Sequence, residues 1–325
     1  MDLKTRRTFL RAASLTVATA AGVVTAASPA SASGLAVVGS RRVSSRILDY
    51  RFRTPAMTLF EPGARIVLPR GYASAPTRRY PVLLLLHGGQ AVGAPGDNYL
   101  EWTERGGTAD LDTAGHDVIL VCPDGGNGGF YADWKQPLAP AVVDWERFHV
   151  SQLLGWVDRT FRTVTGPRAK GVAGTSMGGY GSLVYAARHP RVFAAASSYS
   201  GPADVFDPGV AATIFTAPLT DGQPAGSIFG FDTAMMAAHD PRSLVEGYRR
   251  VRLHLTIGDG DNGLPSGIQE RVVAQSSRAF AADLTAHGVP YTWQVLAQAG
   301  HDWASWNAAF RTDLPGLLGA LPPAG

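Results

Sequence analysis

Short runs rich in Val, Leu, Ile and Ala recur along the chain at Ala64–Leu68, Val82–Leu86, Val118–Val121, Lys170–Ala173, Val192–Ser197, Val251–Ile257 and Tyr291–Leu296. Several lack the in-out alternation of a half-exposed strand, so they are predicted to be strands covered on both faces. Segments with helical patterning lie between them, among them His149–Phe161, Tyr180–Arg188 and Glu270–His287. Strands alternating with helices predict an α/β architecture, a mostly parallel central sheet covered by helices on both faces. One stretch breaks the rhythm. Pro202–Pro241 is long, rich in Gly and Pro, and carries Phe206, Ile214, Phe215, Phe229, Phe231, Met235 and Met236. A loop of that length inside a compact domain is usually functional, and residues 202–241 are expected to form a cap-like insertion.

The amino-terminal residues read as an address rather than as part of the fold. Thr5-Arg6-Arg7-Thr8-Phe9-Leu10 is a twin-arginine pattern, an Ala-rich apolar run follows from Phe9 to Ala27, and Ala30-Ser31-Ala32 offers the small residues of a cleavage site. The run is short for a bilayer span and rich in Ala, Thr and Ser. The expectation is a signal peptide over residues 1–32, export by the twin-arginine route, and one domain over residues 33–325 in an extracellular setting. Losing residues 1–32 removes Lys4, Arg6, Arg7, Arg11 and Asp2, so the formal net charge falls from +3 to zero. The remaining chain therefore has no charge excess for nucleic acid or an anionic membrane, and no second stretch is apolar enough to cross a bilayer. The single cysteine, Cys122, ends the apolar run Val118–Val121 and reads as a buried structural thiol.

Chemistry enters at Gly174-Thr175-Ser176-Met177-Gly178-Gly179, a G-x-S-x-G match with a strand-like run before it and a helix-like run after it. Such a turn is too tight for bulky neighbours. It lifts the Ser176 hydroxyl to the positive end of a helix and aims the Met177 N–H at a developing oxyanion. The run Val82–Leu86 enters His87-Gly88-Gly89-Gln90, whose Gly89 N–H is the expected second oxyanion donor, with Gln90 next; His87 itself reads as structural. A hydrolase of this class takes its base from the loop after the last strand, and His301 in Gly300-His301-Asp302-Trp303 meets that condition. Position alone favours Asp259 or Asp261 as the acid, directly after the strand Val251–Ile257, with Glu270 as the rival. The Asp259–Gly263 string also hints at a calcium loop, but Gly263 and Leu264 stand where a ligand and a glycine are needed.

Further motifs carry a resemblance. Gly125-Gly126-Asn127-Gly128-Gly129-Phe130-Tyr131-Ala132-Asp133-Trp134-Lys135-Gln136-Pro137, then Trp145-Glu146-Arg147-Phe148, then Gly300-His301-Asp302-Trp303-Ala304-Ser305-Trp306 resemble segments of the esterase D family of α/β-hydrolases. Within it they are similar to the secreted mycolyltransferase branch of antigen 85 type and to related actinobacterial esterases, over about Tyr80 to Ala320. The resemblance implies the α/β-hydrolase fold and a Ser-His-acid triad. It implies a glutamate acid some ten residues ahead of a phenylalanine, a relation in which Glu270 and Phe280 stand, and so places Glu270 ahead of Asp261 and Asp259. Gly89-Gln90 stands where the branch carries Leu-Arg, so its sugar-holding arginine is absent and a simple esterase is favoured over a trehalose mycolyltransferase. Trp303, Trp306, Tyr131 and Trp134, with Phe130, are candidates for lining an acyl or sugar pocket or for packing; Asp133 either meets a substrate hydroxyl or caps a turn. The expectation is a secreted serine esterase acting on a small-molecule or lipid ester, or an acyltransferase to a sugar or glycerol hydroxyl. Nothing in the pattern calls for a metal or an organic cofactor.

Overall fold

A computed structural model describes residues 34–94 and 96–325. The expected leader over residues 1–32 lies outside the described residues. Nine strands form one sheet: β1 (Ala36–Arg42), β2 (Ile47–Arg53), β3 (Gly63–Val67), β4 (Val82–Leu86), β5 (Ile119–Pro123), β6 (Lys170–Thr175), β7 (Phe193–Tyr199), β8 (Arg252–Gly258) and β9 (Thr292–Leu296). Their order is β1-β2-β3-β5-β4-β6-β7-β8-β9. The first three pair antiparallel with one another and with β5, and every pairing from β5 to β9 is parallel. The helices are α1 (Ala109–Asp112), α2 (Leu154–Thr160), α3 (Met177–Arg188), α4 (Pro208–Thr216), α5 (Thr233–Ala237), α6 (Pro265–Ala286) and α7 (Trp303–Gly319). This is an α/β-hydrolase architecture.

The apolar runs lack alternation because both faces of the sheet are covered. Along β4, Val82, Leu84 and Leu86 belong to one core with α2, α3 and α6. Leu83 and Leu85 belong to the opposite core, where Trp306, Phe310, Leu314 and Leu317 of α7 pack. Three differences from the sequence reading have physical causes. The hairpin β1–β2 was not anticipated, because β1 is mostly exposed and its Ala-Val-Val-Gly-Ser-Arg-Arg composition marks no buried face. Helix α6 starts five residues before Glu270, because Pro265 occupies its first turn with φ already set for a helix. The helix expected at His149 begins as a π-helical stretch, Arg147–Leu153, which then passes into α2.

Loops at the carboxyl ends of the parallel strands collect on one edge of the sheet, where ligands bind in open α/β folds. Ser176 follows β6, His87–Gly89 follow β4, Gly258 ends β8, and the loop after β9 carries His301. Residues 202–241 hold α4, a 3₁₀ turn at Ala217–Asp221, and α5. Among the described residues no helix is long and apolar enough to cross a membrane.

Candidate active site

Ser176 sits between β6 and α3 with φ of 52° and ψ of −120°, a strained conformation for a non-glycine residue. Tight contact on either side imposes it. A side chain on Gly174 would lie 2.1 Å from the Gly178 carbonyl oxygen, and one on Gly178 would lie 2.2 Å from that of Leu86. The backbone N–H of Ser176 donates to the Tyr199 carbonyl at 2.9 Å, anchoring the turn to β7.

The Ser176 hydroxyl lies 2.7 Å from His301 Nε2, and His301 Nδ1 lies 2.8 Å from Glu270 Oε2. Neither candidate directly after β8 occupies that position. Asp259 accepts the backbone N–H groups of Asp261, Gln298 and Ala299, bonds that hold its pKa below the usual carboxylate value and make it the brace of the loop after β9. Asp261 is exposed and faces Arg271. Glu270 is fully buried in α6, and its other oxygen, Oε1, accepts from the Gly258 N–H at 2.6 Å and the Ser200 hydroxyl at 2.8 Å. A side chain on Gly258 would press 3.0 Å from Glu270 Cγ and 2.4 Å from the Ala299 carbonyl oxygen, so glycine at the end of β8 is what lets the acid approach.

His301 is fixed from both flanks. Its N–H donates to the Ser266 carbonyl at 3.0 Å. Asp302 caps α7 by accepting the Ser305 N–H, and receives the Ser266 hydroxyl at 3.2 Å. The Trp306 ring meets the imidazole edge-on with centroids 5.1 Å apart, and its Nε1–H donates to Ser200 Oγ at 3.1 Å. Ser200 thus links the indole to the acid, a role the sequence reading missed. The only local sign was its position after β7, beside the elbow; its φ of 54° is visible in coordinates alone.

Among the described residues, neither the Met177 nor the Gly89 N–H donates to a protein acceptor. The Gln90 N–H, the alternative donor, is taken by the Asn127 carbonyl at 2.7 Å. His87 supports this loop from below. Its Nε2 accepts the Gly125 N–H at 2.7 Å, so Nδ1 carries the proton and donates to the Gly88 carbonyl. Burial lowers its pKa to about 4, which keeps it neutral.

Two clefts open at the Ser176–His301 pair. One, of about 360 Å³, runs between residues 202–241 (Val210, Thr213, Ala217) and α6 (Val272, Val273), with Phe130 at its side. The other, of about 200 Å³, lies toward Glu101, Trp303 and Trp306. The structure does not bring Tyr131 or Trp134 to either. Tyr131 is fully buried, packs closely against Gly181 of α3, and donates its hydroxyl to the His87 carbonyl at 2.8 Å. Trp134 is turned inward and donates to the Gly129 carbonyl at 3.0 Å. Phe130 and Tyr131 both have positive φ, and this reversal of the chain sends the second ring into the core. Asp133 accepts the Arg147 N–H, and burial pushes its pKa up to about 6. Cys122 is buried and forms no disulfide, its thiol pushed up to about 12 by burial. Among the described residues no group of three or more His, Cys, Asp or Glu side chains is placed to hold a metal ion.

Comparison with known proteins gives the family. The Esterase family model matches residues 59–317. The chain belongs to the Esterase family. It is 36% identical over 303 residues to Esterase Rv1288 of Mycobacterium tuberculosis, a match covering 90% of this chain and 63% of that protein's length. It is 29% identical over 272 residues to the diacylglycerol acyltransferase/mycolyltransferase Ag85A of Mycobacterium ulcerans, covering 75% of this chain and 76% of that one. Solved structures agree on the fold of this family member. Mycobacterium tuberculosis MPT51 superposes with a TM-score of 0.66 at 20% identity, over 83% of this chain and 97% of that one. An S-formylglutathione hydrolase from Agrobacterium tumefaciens gives 0.68 at 16% identity, over 88% and 99%.

Proposed function

We propose that this chain is an exported serine esterase that cleaves a carboxylic ester through an acyl-serine intermediate. The observation that carries the reading is the hydrogen-bonded run from Ser176 through His301 to Glu270, with contacts of 2.7 and 2.8 Å. His301 Nε2 takes the hydroxyl proton as Ser176 Oγ attacks the ester carbonyl, while Glu270 holds the Nδ1–H tautomer and stabilises the imidazolium. The oxyanion of the tetrahedral intermediate receives the N–H groups of Met177 and Gly89, the former at the positive end of α3. His301 then protonates the alkoxide as the carbon–oxygen bond breaks, and the alcohol leaves. Water, deprotonated by the same imidazole, attacks the acyl-serine and regenerates Ser176. Trp303 and Trp306 border the reacting groups on the alcohol side. The twin-arginine leader is the basis for proposing export.

A second reading has a specific support, the 29% identity to the mycolyltransferase: a sugar or glycerol hydroxyl replaces water in the second step. Gln90 in place of an arginine favours hydrolysis. The experiment is to incubate the purified chain with p-nitrophenyl butyrate, with and without glycerol or trehalose, and to measure p-nitrophenol and acylated acceptor. The expected result is hydrolysis that falls by at least about 10⁴-fold in Ser176→Ala, since loss of a triad member leaves only residual catalysis. Product dominated by acylated acceptor at millimolar acceptor would reverse the order of the two readings. Hydrolysis unchanged in Ser176→Ala would remove both.

A further inference from the structure

The smaller of the two clefts has its own chemistry. The larger one is walled by Val210, Ala217, Val272 and Val273 and suits an apolar chain. The smaller is bordered by Glu101, Trp303 and Trp306, and it shares Gly89, Gln90, Ser176, Gln269 and His301 with the larger. An ester bound at Ser176 has its carbonyl carbon where the two meet, so the acyl part and the alcohol part must enter different clefts. The polar cleft takes the alcohol.

Glu101 is the one acid among those lining residues. It is 7% exposed and firmly placed. Its N–H donates to the Asn98 carbonyl at 3.0 Å, and its own carbonyl accepts from the Gly107 N–H at 2.9 Å. One carboxylate oxygen, Oε2, accepts the Trp303 Nε1–H at 3.2 Å. That indole is in turn wedged edge-on between Trp102 and Trp306, with centroids 5.3 and 5.4 Å apart. The second oxygen is thus the acceptor offered to a molecule in the cleft, held rigidly by a tryptophan stack that continues to the catalytic imidazole. A carboxylate oxygen with an open valence, on a residue only 7% exposed, is best met by a hydroxyl donor. It repels an anionic alcohol, and a plain alkyl group leaves it desolvated and unpaired.

We propose that this cleft is the alcohol subsite of the esterase reaction and that Glu101 accepts a hydrogen bond from a second hydroxyl of the leaving alcohol. The preferred substrates are then acylated polyols, with glycerol or a hexose as the alcohol. The volume of about 200 Å³ is below the usual range of pockets for drug-sized ligands and fits a small alcohol of this kind. The proposal rests on the acyl-serine reading given above.

The test compares kcat and KM for glycerol monobutyrate and propyl butyrate, which share the acyl group and the three-carbon alcohol and differ in two hydroxyls. The wild-type chain is expected to favour the glyceryl ester by tenfold or more in kcat/KM. In Glu101→Gln the amide oxygen keeps the Trp303 bond and an N–H donor faces the cleft. The glyceryl-to-propyl preference is expected to fall at least tenfold, mainly through KM. Gln90→Ala, which removes a second polar side chain lining this cleft without touching the Glu101–Trp303 bond, is expected to lower the same ratio severalfold and serves if Glu101→Gln does not fold. A ratio that stays within threefold of wild type in folded variants overturns the proposal while leaving the esterase reading intact. A wild-type chain that cleaves neither ester in a Ser176-dependent way overturns the esterase reading and this proposal with it. Repeating the ratio with 6-O-butyrylglucose separates the sources: the ester whose kcat/KM drops further in Glu101→Gln identifies the alcohol as hexose or glycerol.

Discussion

Ser200 makes the acid of the site more than a side chain that happens to lie near histidine. Its hydroxyl donates to Glu270 Oε1 and accepts the Trp306 Nε1–H, so the carboxylate is held at both oxygens before substrate arrives. In Ser200→Ala, Glu270 keeps the Gly258 N–H and His301, but the indole loses its acceptor and the carboxylate gains freedom to turn. We expect kcat to fall about tenfold with KM nearly unchanged and stability to drop by about 1–2 kcal/mol, the usual cost of an unmade buried hydrogen bond. Steady-state kinetics alongside thermal melting checks this, and a fall in KM-dependent terms alone would argue against a positioning role. At this scale much of the site was legible. The meeting of Ser176 and His301 follows from where the elbow and the last loop sit relative to strands. Glu270 was legible only through family likeness, because nothing local distinguishes it from Asp259 until β8 and α6 are packed together. Tyr131 and Trp134 went the other way, since two consecutive positive φ values decide which side of a glycine-rich loop its rings face, and no side-chain pattern reports them.

At the scale of elements, Glu146 is the junction. Just before the π-helical stretch, it accepts from Arg188 at 2.9 Å and lies 2.6 Å from His189 Nε2, both at the end of α3. His239, at the end of the insertion, approaches at 3.4 Å. Arg188 also donates to the Ala238 carbonyl at 2.8 Å. Burial alone would raise the Glu146 pKa, but the bonds from His189, His239 and Arg188 outweigh it and hold the carboxyl well below the usual range. A folded pKa below the unfolded one contributes stability at pH values above about 4.3, the ordinary glutamate value, and that contribution is lost as pH falls toward the folded pKa. Glu146→Gln leaves Arg188, His189 and His239 facing an amide and should cost about 2 kcal/mol at neutral pH, or about 4 °C in Tm. The deficit relative to wild type should shrink as melting is repeated from pH 5 down to pH 3. A deficit that grows with acid would mean the carboxyl is not held ionised. The sequence shows Trp145–Phe148 only as a motif; the partners come from the end of α3 and from His239 some fifty residues later, which is why its role appears only in the fold.

For the whole molecule, the parallel strands do the assembling. Residues 31 and 125 positions apart in sequence, Glu270 to His301 and Ser176 to His301, meet because β6, β8 and β9 all deliver their loops to the same edge. Alternation of strands and helices announced that edge, and residues 202–241, singled out by the long Gly- and Pro-rich break, supply one wall of the larger cleft. Which side of the serine the insertion walls was not readable, since that depends on α4 packing opposite α6. The assignment of the larger cleft to the acyl chain can therefore be tested from the insertion wall. Thr213 is exposed on α4 and lines that cleft, so Thr213→Trp adds bulk there without opening the core. With p-nitrophenyl esters of increasing acyl length, the variant should retain most of its kcat/KM for acetate and lose at least tenfold for octanoate. A loss of one buried methylene contact is worth about 0.8 kcal/mol, so exclusion of several methylenes readily produces a drop of that size. An equal loss at every acyl length would instead place the acyl chain in the Glu101 cleft and exchange the roles of the two compartments.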